Sequence, residues 1–175
     1  LQECRDDDQA ACIRAGLAAC QFLGVHRQGP GDTALEMAPL VFRSGRFDLL
    51  GTGWFWLSDT PEVPGSRSPE AAFPRTLTWA RLGCRQSRRE LVFANTHFDC
   101  QPAAIAMNAQ VLGHWLDQLG RETPLVLTGD FNADKRSAAY QLLTADDRLQ
   151  DAYAAVHPSD PAAATFHGFG RAAPP

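Results

Sequence analysis

Two short apolar runs, each followed at once by a dense group of polar residues, constrain the fold of this chain more than any other feature. The run LVFA at 91–94 leads into NTHFD at 95–99, and the run LVL at 125–127 leads into TGDFN at 128–132. Short apolar runs with β-branched residues are typical of buried strands. The pattern therefore predicts two core strands with polar side chains at their ends, where burial is less costly than in a strand centre.

A helix is predicted between these two strands. Pro102 suits the first turn of such a helix. Apolar residues then recur at spacings of three and four, as one stripe of a helix over 103–119 requires: Ile105, Val111, Leu112, Trp115, Leu116 and Leu119. Strand, helix and strand within about forty residues form a βαβ unit, whose right-handed crossover makes the strands parallel. Both polar groups then lie at one edge of the sheet.

The side chains expected at that edge are carboxylates, amides and an imidazole. Alternation along an extended chain places Asn95, His97 and Asp99 on one face of the first strand. It places Asp130 and Asn132 together on the second strand. Hydrolysis of a phosphate ester needs charge neutralisation, an oriented water and a stabilised leaving oxygen, and these groups can supply them. The pattern therefore indicates a hydrolytic metal enzyme.

Each polar side chain has a candidate role in such a reaction. Asp130 would orient or deprotonate the attacking water, and Asn132 could hydrogen-bond a phosphoryl oxygen. His97 would donate to a non-bridging oxygen or act as an acid. For that role we expect a cationic ring, which a neighbouring carboxylate such as Glu36 would favour. Arg75 is a candidate phosphate contact.

Plainer alternatives exist for these assignments. The sequence GDFN after a strand is often just a turn, and a lone histidine in a strand is often a core residue. Glu3 could be a solvated carboxylate. Arg75 could pair with an acidic neighbour or cover apolar surface with its stem. The residues taken one by one leave these alternatives open.

Several motifs in a fixed order make the chain resemble the endonuclease/exonuclease/phosphatase superfamily, which has the DNase I-like fold. The segment LQE at 1–3 resembles a family segment whose Glu ligates the catalytic metal, and Glu36 with MAPLVFR resembles a motif whose Glu buttresses the catalytic His. The pattern GWFWLSDTP at 53–61, with RTLTWA at 75–80, is similar to a motif of a bacterial-type branch. Two later segments also match, DAY at 151–153 and TFHGF at 165–169. The resemblance covers nearly the whole chain.

The resemblance implies an α/β fold, a DNase I-like four-layer sandwich of two packed β-sheets flanked by helices, incomplete at its N- and C-terminal strands. It implies one domain over 1–175 and a phosphoester hydrolase that uses Mg²⁺ or Mn²⁺, a phosphodiesterase or nuclease, or else a small-molecule phosphatase. The resemblance assigns catalysis to His97, Asp130, Asn132 and Glu36, and it assigns the metal to Glu3. It assigns substrate contacts to Arg75 and Asn95, and Asp99 is implied as a supporting carboxylate.

Some features depart from the family pattern. The resemblance implies a chain truncated at both ends, because it begins inside the LQE strand and stops at Pro175 before the expected last catalytic segments. Cys100 and Ala106 stand where relatives usually carry His and Arg. These departures favour a second hypothesis, a non-catalytic phosphate-binding domain.

Charge limits the class of substrate. A formal net charge of −4 and a pI near 5.7 argue against tight non-specific binding of nucleic acid. Small or weakly held phosphoester substrates fit better. The one dense basic cluster, Arg85, Arg88 and Arg89, stands where a hairpin turn should join 77–82 to 91–94. We interpret it as a solvated turn, with a nucleic-acid contact as the alternative.

Cysteine usage and hydropathy exclude other classes. Five cysteines without a C-x-x-C pair disfavour a disulfide framework, and a zinc enzyme using cysteine and histidine ranks low. We expect most of the cysteines to be buried thiols. Cys4, Cys12 and Cys20 fall around a predicted amphipathic helix over about 7–23. The chain has no run of eighteen apolar residues, so we expect no membrane span. Nothing in the sequence indicates a protein partner.

Overall fold

The computed structural model describes residues 1–5, 8–32, 34–159 and 165. The elements in chain order are α1 (Asp8–Gly16), β1 (Cys20–Leu23), β2 (Leu40–Arg43), β3 (Phe47–Trp56), β4 (Thr76–Cys84), β5 (Glu90–His97), α2 (Pro102–Leu119), β6 (Leu125–Asp130), α3 (Ala138–Thr144), a 3₁₀ turn (Ala145–Asp147) and α4 (Ala152–Val156). Residues 1–142 form one compact unit and the chain from Leu143 onward a second, while a single domain over 1–175 stays a prediction. The TFHGF motif, apart from Thr165, lies outside the described residues.

The strands form two sheets. β1 and β2 pair antiparallel in a two-stranded sheet, and the four-stranded sheet has the order β3-β4-β5-β6, with β5 and β6 parallel and the other pairs antiparallel. Leu40 and Phe42 of β2 pack on Ala80 and Leu82 of β4 in a buried apolar cluster. Two packed sheets with helices confirm the predicted α/β architecture.

The βαβ unit is confirmed. β5, α2 and β6 follow one another, and the parallel register pairs Val92 with Leu125 and His97 with Asp130. α2 begins at Pro102, one residue before the predicted start. It buries a face of small and apolar residues with one polar exception: Ala104, Asn108, Ala109, Leu112, Gly113 and Leu116. The unit therefore places the ends of both strands side by side.

Two expectations about single elements are wrong. β6 is not a fully buried core strand: among the described strands it pairs with β5 alone, and Val126 is 49% exposed. The helix expected over 7–23 ends at Gly16, and Cys20–Leu23 is strand β1, because its backbone pairs with β2.

Surface features are partly as predicted. The cluster Arg85, Arg88 and Arg89 is exposed at the turn between β4 and β5, as expected. The five cysteines are free thiols, but only Cys4 is buried, so the expectation that most would be buried is wrong. Among the described residues, no helix is long and apolar enough to cross a membrane.

Candidate active site

His97 and Asp130 lie together at the carboxyl edge of the four-stranded sheet. Both are the last residues of their strands, and the parallel register makes them direct neighbours. His97 Nε2 is 3.7 Å from Asp130 Oδ2, and the imidazole is buried whereas the carboxylate is half exposed. The site thus has one side chain shielded by protein and one that can reach solvent.

Arg27 completes this group, although no motif in the sequence indicated it. Its guanidinium Nη2 lies 3.1 Å from His97 Nδ1 and 3.1 Å from Glu36 Oε2. Glu36 therefore reaches His97 through Arg27. The segment VHRQ at 25–28 has no periodic pattern of apolar residues. Its one distinguishing feature is a basic residue between His26 and Gln28, after a short apolar run.

The backbone around Arg27 holds it in place. Its N–H donates to the Glu36 carbonyl (3.2 Å), and its carbonyl accepts from Trp56 Nε1 (2.6 Å). Arg27 is 6% exposed. Burial, followed by the charge of Arg75, lowers its pKa to about 10, while Glu36, Glu3 and Asp99 oppose the shift. The guanidinium is therefore cationic at neutral pH.

His97 is neutral at physiological pH. Burial first, then the charges of Arg75 and Arg27, lower its pKa to about 4, and Asp130 and Asp99 oppose the shift only partly. A guanidinium can donate hydrogen bonds but cannot accept them, so Arg27 Nη2 is the donor in its contact with His97 Nδ1. The lowered pKa contradicts the expected cationic ring, and a neutral ring can still donate one hydrogen bond.

Arg75 and Asp99 form a second buried charged pair. Arg75 Nε lies 3.4 Å from Asp99 Oδ2. The backbone N–H groups of Ala72, Phe73 and Gln101 also donate to the Asp99 carboxylate at 3.0–3.3 Å. Burial raises the pKa of Asp99, but these hydrogen bonds and Arg75 together bring it below its usual range. Asp99 is therefore an anion that fixes Arg75.

One atom of Arg75 has no partner. Nη1 is buried and makes no hydrogen bond in the described structure. Buried guanidinium N–H groups normally find an acceptor. This donor therefore lacks an acceptor within the described part of the chain.

Asn132 is held in the turn that follows β6. Its backbone has φ +46°, its N–H donates to Asp130 Oδ1 (3.0 Å), and its Nδ2 donates to the Phe98 carbonyl (3.0 Å). Asp130 to Asn132 thus forms an Asx turn, in which the Asp130 carboxylate accepts from the Asn132 N–H and the two residues lie next to each other. A cavity of about 500 Å³ borders Asn132, with Ile105 and Ala106 of α2 in its wall.

Asn95 is buried and fully engaged within the chain. Nδ2 donates to the carbonyls of Leu1 and Pro39, and Oδ1 accepts from Gln2 Nε2 and Thr128 Oγ1. An amide group has two donor hydrogens and one oxygen with two lone pairs, so its capacity is used. This placement favours a structural role over a contact with substrate.

Comparison with protein families matches residues 1–175 to the model of the Endonuclease/Exonuclease/phosphatase family. The chain belongs to the endonuclease/exonuclease/phosphatase family. Comparison with curated proteins gives no match.

Solved structures of the endonuclease/exonuclease/phosphatase family agree with the fold. A family protein from Bacteroides thetaiotaomicron is 32% identical, with a TM-score of 0.71, 78% of this chain covered and 50% of that chain. A mannosyl-6-phosphatase from the same species is 31% identical, with a TM-score of 0.77 and coverages of 83% and 55%. The human Nocturnin catalytic domain with bound sulfate, at 19% identity, has a TM-score of 0.66 and coverages of 86% and 56%. The chain spans about half the length of these relatives.

Glu3 is the residue expected to ligate a divalent metal, and its carboxylate supplies the oxygen donor that Mg²⁺ or Mn²⁺ would need. Its side chain is exposed, it has φ +52°, and it forms no ion pair within 4.0 Å in the described structure. Its charge acts on Arg27, which links it to the His97 group. No cluster of three His, Cys, Asp or Glu side chains in the described part could hold a metal ion. A single carboxylate nevertheless suits Mg²⁺, which keeps several waters and uses few protein ligands.

Proposed function

We propose that the protein is a divalent-metal-dependent phosphoester hydrolase that acts on small phosphate esters. The observation that carries the proposal is the buried cationic group at the sheet edge, where Arg27 and Arg75 act on His97 and where Arg75 Nη1 has no partner. Two buried guanidinium groups near one donor imidazole form a site that a phosphoryl group would neutralise.

Each side chain has a role in this proposal. Arg75 Nη1 and His97 Nε2–H donate to non-bridging phosphoryl oxygens. The half-exposed Asp130 carboxylate orients or deprotonates the attacking water. Asn132 contacts the phosphoryl group from its turn, and Asp99 keeps Arg75 in place. Mg²⁺ or Mn²⁺ held by Glu3 would supply charge neutralisation when bound.

Three observations favour a small ester. The net charge of −4 disfavours long polyanions. The cavity beside Asn132, of about 500 Å³, can accommodate a leaving group of sugar size. The small side chain of Ala106 lines this cavity. The likeness to a mannosyl-6-phosphatase points the same way, toward a sugar phosphate.

A phosphodiesterase is the second candidate. It is favoured by the exposure of Asp130, because a half-exposed carboxylate leaves room for a second substituent on a phosphoryl group bound beside it. A diester needs room for a substituent on both sides of phosphorus, whereas a terminal phosphate does not. The two candidates therefore differ in substrate and share the same site.

The test is hydrolysis by the purified full-length protein with Mg²⁺, with Mn²⁺ or with EDTA. The substrates are mannose 6-phosphate, p-nitrophenyl phosphate and bis-p-nitrophenyl phosphate. We expect metal-dependent release of phosphate from the monoesters and its loss in Asp130→Asn. Asp48→Asn is the matched control, because Asp48 on β3 is a carboxylate of similar exposure, and it pairs with Arg85 outside the site. Turnover of the diester alone would favour the second candidate, and no turnover of any substrate would contradict both.

A further inference from the structure

We infer that Arg27 is a positioning residue that fixes the tautomer of His97, so that the ring keeps its proton on Nε2 and presents it to the ligand. The statement that the ring presents its proton to the ligand rests on the proposed function, because that ligand is the phosphoryl group. The statement that Arg27 fixes the tautomer concerns the free protein and stands on geometry alone.

The geometry assigns the two ring nitrogens to different partners. Arg27 Nη2 approaches Nδ1 at 3.1 Å, while Nε2 faces the Asp130 carboxylate at 3.7 Å. Because a guanidinium has no acceptor atom, the contact at Nδ1 requires an unprotonated nitrogen. The other ring nitrogen must then carry the proton in the neutral ring.

Arg27 is itself fixed on three sides. Glu36 Oε2 accepts from the same Nη2 at 3.1 Å, the Arg27 N–H bonds the Glu36 carbonyl, and the Trp56 indole bonds the Arg27 carbonyl. Its side chain is more than nine-tenths buried. A donor held in this way sets the orientation of the imidazole as well as its tautomer.

This arrangement differs from a direct carboxylate–histidine pair. In such a pair Nδ1–H donates to the carboxylate, and the anion favours a charged ring. Here a cation stands between Glu36 and His97, so the carboxylate balances Arg27 and the ring stays neutral. His97 would then act by donating a hydrogen bond, without carrying a positive charge into the reaction.

The surrounding charges support the neutral ring. Arg27 and Arg75 are the cations that act on His97, and Asp130 and Asp99 are the anions. Glu36 faces Arg27. Protonation of Nδ1 would break the contact with Arg27 and place a third cation beside two buried ones.

The experiment is long-range ¹H–¹⁵N NMR of the histidine rings in the full-length protein at pH 7. This readout reports the tautomer and needs no activity. His97→Gln identifies the His97 signals among the five histidines. We expect an Nε2–H tautomer in the wild type, with Nδ1 shifted as a hydrogen-bond acceptor. An Nδ1–H tautomer or an imidazolium ion at pH 7 would overturn the inference.

Variants separate positioning from general structure. Arg27→Met should lose the acceptor shift at Nδ1, and Arg27→Lys should retain part of it, because an ammonium group can still donate. Arg75→Met is the matched control: it removes a buried cation that acts on His97 but does not bond Nδ1. Loss of the tautomer in Arg75→Met as well as in Arg27→Met would contradict a specific role for Arg27. If Arg27→Met does not fold, the wild-type spectrum and Arg27→Lys still decide.

A kinetic readout links the tautomer to the reaction. If the proposed hydrolase activity is present, Arg27→Met should lower kcat about 10- to 100-fold with a smaller effect on KM, since the lost orientation acts on the reacting state. Arg27→Lys should recover part of kcat. Absence of activity in the wild type would contradict the proposed function and leave the NMR result standing, so the two failures can be told apart.

Discussion

At the scale of single residues, the charge state of His97 determines how the protein responds to acid. The pKa of His97 is about 4 in the folded protein and near its ordinary value of 6.5 in the unfolded chain. Between these values the unfolded chain binds more protons, so the free energy of unfolding should fall as the pH falls from about 6.5 to 4. Urea unfolding at several pH values checks this. His97→Gln should have a flatter slope in that window. Equal slopes in the two proteins would show that another group is responsible.

Arg75 is the residue on which phosphate binding should depend most. Arg75→Met should lower kcat/KM by about 100-fold or more, because it removes the Nη1 donor, which has no acceptor in the described part of the protein. It also removes the charged partner of the buried Asp99, at a cost to stability of up to about 3–5 kcal/mol, so thermal unfolding is measured in parallel. Arg81→Met, which breaks the exposed pair with Glu90, is the control. Similar kinetic losses in both variants would argue against a phosphate contact.

The sequence could predict some site residues and not others. His97 and Asp130 follow apolar runs, so strand alternation and the βαβ crossover were enough to bring them together. Arg27 could not be predicted, because it lies in an irregular segment and its contact with His97 spans 70 positions in the chain. The neutral ring could not be predicted either, since it depends on burial and on two arginines that no local pattern connects.

At the scale of elements, the close approach of β5 and β6 holds the site together. Gly129 makes it possible: a Cβ there would lie 2.7 Å from the Thr96 carbonyl oxygen, a backbone atom that cannot swing away. Gly129→Ala should therefore push β6 from β5, lower the free energy of unfolding by about 1–3 kcal/mol and reduce activity. Gly16→Ala is the control, because its Cβ would meet nothing within 4 Å. Full activity and stability in Gly129→Ala would contradict this account.

Helix α2 supports the site through one buried polar residue. Asn108 accepts from the Asp99 N–H (2.9 Å) and donates to the Leu57 carbonyl (3.0 Å). Asn108→Ala should lower the free energy of unfolding by about 2–4 kcal/mol, because it leaves two buried backbone groups without this partner. Denaturant unfolding measures the loss. Gln118→Ala, at an exposed position of the same helix, should change stability little, and an equal loss there would refute the role given to Asn108.

Local pattern predicted α2 better than it predicted the first part of the chain. The stripe of α2 repeats over 18 residues, whereas β1 has four residues and owes its conformation to pairing with β2. Strand formation depends on such partners more than on the segment itself. The exposure of Val126 on β6 could not be predicted for a similar reason. A run of apolar residues does not reveal how many strands will lie beside it.

At the scale of the whole molecule, charge should separate a small-ester hydrolase from a nuclease. The formal net charge is −4, and the exposed basic cluster Arg85, Arg88 and Arg89 has Arg85 already paired with Asp48 at 2.6 Å. Non-specific binding of nucleic acid depends on neutralising several phosphates. We therefore expect duplex and single-stranded oligonucleotides to bind with Kd weaker than about 10⁻⁴ M at physiological salt.

Fluorescence anisotropy with labelled oligonucleotides at several salt concentrations measures this binding, and the basic turn offers a matched variant. Replacing Arg85, Arg88 and Arg89 by Ser should leave the weak binding and the hydrolysis of small esters unchanged, because the turn lies at the opposite end of β5 from His97. Tight, salt-dependent binding that the triple variant abolishes would instead identify the turn as a nucleic-acid contact. It would transfer support from the small ester to the phosphodiester, since a polyanion held at the turn could extend along the sheet toward Asp130.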